Sequence, residues 1–311
     1  MSTAASSEVG LAGRRSLWAS AGFIMLLALG LFWPGPVLKL NDAVLDASLN
    51  IDGESFLGRE APSWDVAFWC IAGLFTLGLF HGRTSEAREG WRALTAEFVG
   101  VPRAVSSVVS SIRVKMLLVG FVSAVITVAA VWLFLDSPLM QAAEAVQTDL
   151  TRSCIRIFNR LGGGMNPAMI VCFFAVVGIT AGKRDWIQLS VAMVMAALGG
   201  GVLVQLIKLL VGRSRPELWL GPFHHARAAA SSFPSGHTVG AFALAGVLVF
   251  GSHSKAVRFL AAFVACGIAI SRVLAFRHWP SDVVASAMVG TALAWFFSRA
   301  VLARISHRPS P

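Results

Sequence analysis

At 311 residues, with 56% apolar and 14% charged side chains and a mean hydropathy of +0.71, the chain is too greasy for an ordinary soluble domain, where charge runs at about 25%. Repeated apolar stretches of about 20 residues predict a polytopic helical membrane protein, and no sustained alternation points to a transmembrane barrel. The net charge of +10 follows membrane topology rather than a nucleic-acid footprint, so no nucleic-acid partner is expected.

The first 13 residues are small and polar and read as disordered. Arg14 and Arg15 then precede an apolar run, 17–33. No small-x-small cleavage site follows, so the run is expected to be an uncleaved membrane anchor, ended by Pro34 and Pro36. An acidic stretch, 37–65, holds Asp42, Asp46, Asp52, Glu54, Glu60 and Asp65. A short second span is expected at 66–80. In the basic loop 81–115, Trp91, Leu94 and Phe98, and then Val105, Val108, Val109 and Ile112, recur at helical spacing. Both groups read as helices lying on the membrane surface.

A charge-free third span covers 116–135. The segment 137–161 is amphipathic, with Leu139, Ala143, Val146, Leu150, Ile157 and Leu161 on one side and Gly162–Gly164 breaking it. Asn166 and Pro167 form a cap and first turn for span four, 167–182. Span five is 186–207, with small residues at Gly199–Gly201 that suit close helix packing. Spans six (238–251), seven (259–276) and eight (283–301) follow. Four cysteines, Cys70, Cys154, Cys172 and Cys266, show no metal-binding spacing and are expected to be small buried hydrophobes.

Lysine and arginine set the orientation. Fifteen of the 26 lie at alternate ends of the spans: Arg14, Arg15, Arg83, Arg88, Arg92, Arg103, Arg113, Lys115, Lys183, Arg184, Lys255, Arg258, Arg299, Arg304 and Arg308. Both termini are therefore expected to be cytoplasmic.

Three polar clusters then fall on the outer face, each at the end of an apolar run, where ionisable groups are functional candidates. Lys208 and Arg215, in K-L-L-V-G-R-S-R-P, would stack on one helix face, with Pro216 as the stop. Membrane anchoring is the competing reading, and Arg213, on another face, is expected to contact headgroups. Pro234-Ser235-Gly236-His237 opens span six. Its helix start offers N–H groups to an anion, Gly236 admits close approach and Ser235 adds a hydroxyl. His237 stands at the rim as a proton donor or acceptor, although a simple turn and cap would look the same. In S-R-V-L-A-F-R-H-W-P-S-D, Arg272 adds a third cation, and Asp282 is placed to accept the ring N–H of His278. Arg277 reads as a solvated charge.

Together, Lys-x6-Arg-Pro, Pro-Ser-Gly-His and Ser-Arg-x5-His-x3-Asp resemble the signature of the type 2 phosphatidic acid phosphatase superfamily. The resemblance implies an all-α transmembrane bundle with a six-helix core at 113–303. Residues 1–112 would be an extension bearing the two added spans, about eight in total, and 304–311 a cytoplasmic tail. It implies that Lys208, Arg215, Arg272, Ser235 and the Gly236 amide bind phosphate. His278 would be the nucleophile forming a phosphohistidine, Asp282 its orienting partner and His237 the proton donor to the leaving oxygen, with no metal and no cofactor. The expected activity is hydrolysis of a lipid phosphomonoester or diphosphate of the lipid A, undecaprenyl diphosphate or phosphatidylglycerophosphate type. The setting would be the inner membrane, with the active site facing the periplasm. A lipid phosphotransferase would use the same site. An anion channel or transporter would have no use for the His–Asp pair.

Overall fold

A computed structural model describes residues 85–163, 166–218, 221 and 231–302. The expected anchor at 17–33, the short span at 66–80, the acidic stretch and Cys70 lie outside these residues. So do His224, His225 and Arg227, and the tail from residue 303. Every described segment of regular structure is helical. In order these are α1 (Ser85–Ser111), α2 (Val114–Phe134), α3 (Asp136–Ala145), α4 (Asp149–Gly162) and α5 (Asn166–Thr180). Next come α6 (Arg184–Val211), a 3-10 turn (Pro216–Leu218), α7 (Gly236–Gly251), α8 (Lys255–Leu274) and α9 (Pro280–Leu302).

Four of these helices, α2, α6, α8 and α9, are long and apolar enough to cross a bilayer. They correspond to spans three, five, seven and eight. Spans four and six correspond to α5 and α7, of 15 and 16 residues, shorter than the roughly 20 needed for a straight crossing. Helix α2 has a mean hydropathy of 2.5 and buries none of its residues. A helix that is apolar all round and unburied has lipid as its solvent.

Two compact units divide the described residues. The smaller comprises 85–96 and 166–187; within it the rings of Phe173 and Phe174 lie against Trp186. The larger comprises 97–163 and 188–302 and carries all three polar clusters. Here α7 packs on α8 and α9, and α8 packs on α4. Its core is made of Ala241, Ala245, Ala265 and Ile268, with Phe158, Phe242, Ala261 and Val264 around them. Small side chains let these helices close. A Cβ on Gly290 would stand 2.6 Å from the Val239 carbonyl oxygen, so α9 meets α7 almost backbone to backbone.

Three local expectations change. The basic loop holds one continuous helix, α1, running through Pro102. Glu97, Val101 and Val108 are buried along it, and Gln188 Nε2 donates to Glu97 Oε1 at 3.1 Å, so α1 is packed along one side instead of lying free on a surface. The 137–161 segment is two helices, α3 and α4. Thr148 caps the second by accepting from Thr151 N–H at 3.2 Å. Of its apolar side only Ala143 is buried; Leu139, Val146, Leu150, Ile157 and Leu161 are exposed. Lipid is as apolar as leucine, so an apolar stripe on a membrane protein need not face the core. Cys154 and Cys266 are likewise exposed, and Cys172 is half-buried.

Candidate active site

The first cluster forms where α6 ends. The helix stops at Val211, before Pro216, because Gly212 turns into the left-handed region at φ 58° and its N–H donates to the Lys208 carbonyl at 3.2 Å. Lys208 is thus in the last turn, while Arg213, Ser214 and Arg215 follow in a non-helical segment, and the expected stacking of Lys208 and Arg215 on one helix does not occur. Arg213 is not a headgroup contact. It is 7% exposed and donates to Asp136 Oδ2 at 2.6 Å, Asp282 Oδ1 at 2.5 Å and Ser281 Oγ at 2.7 Å. The turn at Gly212 carries it inward, where two carboxylates satisfy it. Arg215 lies 3.4 Å from Glu217, which also holds Arg277 at 3.0 Å, so Arg277 is paired rather than merely solvated.

The second cluster is the start of α7. Ser235 is its N-cap: the hydroxyl accepts from Thr238 N–H at 3.4 Å and from Thr238 Oγ1 at 3.0 Å. The Ser235 N–H donates to Ser286 Oγ at 2.8 Å, tying α7 to α9. Ser235 is buried; Gly236 is exposed in the first turn, where helix N–H groups lack intrahelical partners. His237 is half-buried against Gly163, where a Cβ would come within 2.9 Å of Nε2. Gly163 therefore makes room for a histidine.

The third cluster joins α8 to α9. Phe276 adopts φ 55°, with Arg277 N–H donating to the Arg272 carbonyl at 3.1 Å and Phe276 N–H to the Val273 carbonyl at 2.9 Å. This is a Schellman closure with phenylalanine where glycine is usual, a strained position two residues before the histidine. His278 is buried, and its Nδ1 lies 2.6 Å from the Ser232 carbonyl. A carbonyl only accepts, so Nδ1 carries the proton and Nε2 the lone pair. Asp282 does not take that proton directly: its Oδ2 is 3.9 Å from Nδ1. Instead Asp282 accepts from the Ser232 hydroxyl, from Trp279 N–H at 2.9 Å and from Arg213. Ser232 thus stands between histidine and aspartate. Burial, and then the charges of Arg272 and Arg215, push His278 well below its usual range, against the pull of the Ser232 carbonyl.

Lys208, Arg215 and Arg272 act electrostatically on both His237 and His278. The fold therefore gathers three cations and two histidines from α6, α7, α8 and the segments beside them. Sequence reasoning missed Asn159, whose Oδ1 accepts from Arg272 Nη1 at 2.8 Å and from Ser271 Oγ at 3.3 Å. It also missed Ser232 and Asp136. An acid directly after a charge-free span was a signal for Asp136; nothing local marked Asn159.

The PAP2 superfamily model matches residues 187–306. A Lipid A 1-phosphatase of Rhizobium johnstonii is 42% identical over 106 residues, covering 31% of this chain and 40% of that protein. Another Lipid A 1-phosphatase, from Porphyromonas gingivalis, is 38% identical over 128 residues, covering 40% of this chain and 26% of that protein. The chain thus spans two fifths or less of these curated relatives. The crystal structure of a transmembrane PAP2-type phosphatidylglycerolphosphate phosphatase from Bacillus subtilis superposes with a TM-score of 0.50 at 22% identity. That match covers 62% of this chain and 98% of the other, a likeness of fold. The chain is a helical membrane protein that matches the PAP2 superfamily over residues 187–306.

Proposed function

We propose that this protein is an integral membrane lipid phosphatase that removes phosphate from a lipid headgroup through a phosphohistidine on His278. The observation that carries the reading is the Ser232 carbonyl on Nδ1, which leaves Nε2 as the nucleophilic nitrogen beside three cations. Lys208, Arg215 and Arg272 neutralise the phosphate oxygens, with the Gly236 amide and the Ser235 hydroxyl proton as further donors. Nε2 attacks phosphorus, and the bond to the lipid oxygen breaks as His237 protonates that oxygen. A bound phosphate dianion offsets the charges of Lys208, Arg215 and Arg272 and so favours a proton on His237. Water then attacks the phosphohistidine, giving its proton to His237, and orthophosphate leaves with His278 restored.

The proposed catalytic unit is the six-helix core at 113–303, in the inner membrane, with both termini cytoplasmic and the site facing the periplasm. Lipid A at its 1-phosphate is the favoured substrate, since both relatives described carry that activity in their names. Purified protein in mixed micelles should be tested for phosphate release from lipid A, undecaprenyl diphosphate and phosphatidylglycerophosphate. Release greatest from lipid A is expected. Release from none of the three refutes the phosphatase reading, and phosphate recovered on a second lipid instead of free would make the protein a phosphotransferase.

A further inference from the structure

Three segments far apart in sequence meet at Arg213: the start of α3 with Asp136, the segment after α6, and the start of α9 with Ser281 and Asp282. Asp136 is fully buried and makes three short contacts. It accepts from Arg213 Nη2 at 2.6 Å, from Ser281 N–H at 2.8 Å and from Ser281 Oγ at 2.7 Å. The second of these caps the first turn of α9 from 145 positions away, one residue before Asp282. The Arg213 guanidinium lies over the rings of Trp132 and Trp279, at 5.3 and 5.2 Å, and the Trp279 indole N–H is fixed on the Ser214 carbonyl at 2.9 Å. A buried ion pair kept only for stability is often no better than apolar residues of the same volume. Here one guanidinium is shared between two carboxylates, which leaves negative charge in the cluster. That charge adjoins Ser232, the residue that holds His278.

We propose that Asp136 and Arg213 are positioning residues for the His278 nucleophile. Asp136 draws off part of the Arg213 charge, so that Asp282 keeps the negative charge it presents through Ser232 to the imidazole. The inference rests on the proposed phosphatase reaction, in which the imidazole gains positive character as Nε2 bonds to phosphorus. Charge on Asp282 stabilises that change through Ser232, whose hydroxyl donates to Asp282 and whose carbonyl accepts from Nδ1–H. Lys208, Arg215 and Arg272 oppose it from the other elements around His278.

The test compares Asp136→Asn with the double variant Asp136→Asn, Arg213→Gln in purified full-length protein. The single change places the whole Arg213 charge on Asp282. It should lower kcat for lipid phosphate release about tenfold while KM stays within about twofold. Removing Arg213 as well frees Asp282 again and should recover kcat at least about threefold. A structural staple would instead lose and regain folded yield, because the second deletion removes the buried charge that the first leaves unpaired, with kcat per folded molecule unmoved. A double variant at or below the single one, or a single variant with unchanged kcat, overturns the proposal. Turnover per folded molecule, from the fraction eluting as monodisperse protein, separates this effect from misfolding. The ring titration of His278, followed by NMR on histidine-labelled protein, supplies a readout without turnover. Its midpoint should fall in the single variant and rise back in the double, and midpoints that do not move in that order also overturn the proposal. A wild type that releases no phosphate would sink the phosphatase reading, while the titration still decides the charge coupling.

Discussion

Asn159 offers the sharpest separation between holding a cation and attracting a phosphate. Its Oδ1 accepts from Arg272 Nη1 at 2.8 Å and from Ser271 Oγ at 3.3 Å, and Arg272 carries a further nitrogen, Nε, that is buried without a hydrogen-bond partner among the described residues. A hydrogen bond to a charged group contributes about 1.5–3 kcal/mol. If Asn159→Ala loses that amount in the transition state, kcat/KM for lipid phosphate release should drop about 10- to 100-fold. Asn159→Asp makes a stronger bond to Arg272 but sets a carboxylate beside the phosphate position, neutralising one of three cations. Its kcat/KM should therefore fall below that of Asn159→Ala. Phosphate release from defined mixed micelles, with melting in detergent as a folding control, measures both. Asn159→Ala within about threefold of wild type, or Asn159→Asp more active than Asn159→Ala, refutes the view that Asn159 presents Arg272 to an anion.

Gly163→Ala places a Cβ 2.9 Å from His237 Nε2 and 2.9 Å from the Asn159 carbonyl. Steady-state assays should show kcat lowered about tenfold or more with melting little changed, since a misplacement of about 1 Å near the chemistry is enough for such losses. Arg152, Arg156 and Arg160 are exposed along α4, the helix that also carries Asn159. Changing all three to glutamine should raise KM for an anionic lipid while leaving kcat nearly intact, and an unchanged KM in mixed micelles removes the idea that they gather headgroups. A cysteine at Gly221, a residue with φ 83°, should react with an impermeant thiol reagent in intact cells. Labelling only after permeabilisation reverses the proposed orientation.

The three clusters were legible because each interrupts an apolar run with a fixed order of polar residues, and a span such as α2 is legible from composition alone. Helix ends were harder. Gly212 was read as part of a motif, yet its φ, not Pro216, ends α6 and separates Lys208 from Arg215. Phe276 closes α8 in a conformation that no phenylalanine advertises. The long-range partners were hidden for another reason. The contact from Ser281 N–H to Asp136 joins residues 145 apart, and that from Arg272 to Asn159 joins residues 113 apart, so only the packing of α3 and α4 against the catalytic segments reveals them. The same holds for the polar stripe of α1, where Glu97 finds Gln188 across 91 positions.

The atom that carries the phosphoryl group distinguishes the roles of His278 and His237 most directly. Wild-type protein mixed with radiolabelled lipid phosphate and quenched within one turnover should hold protein-bound phosphate that is labile in acid and stable in base. Peptide mapping should place it on His278. The same label should persist in His237→Ala when an activated aryl phosphate, which leaves without protonation, is the donor, and it should be absent from His278→Ala. Acid-labile phosphate trapped on His278→Ala, or mapped to His237 in the wild type, would contradict the assignment of His278 as nucleophile.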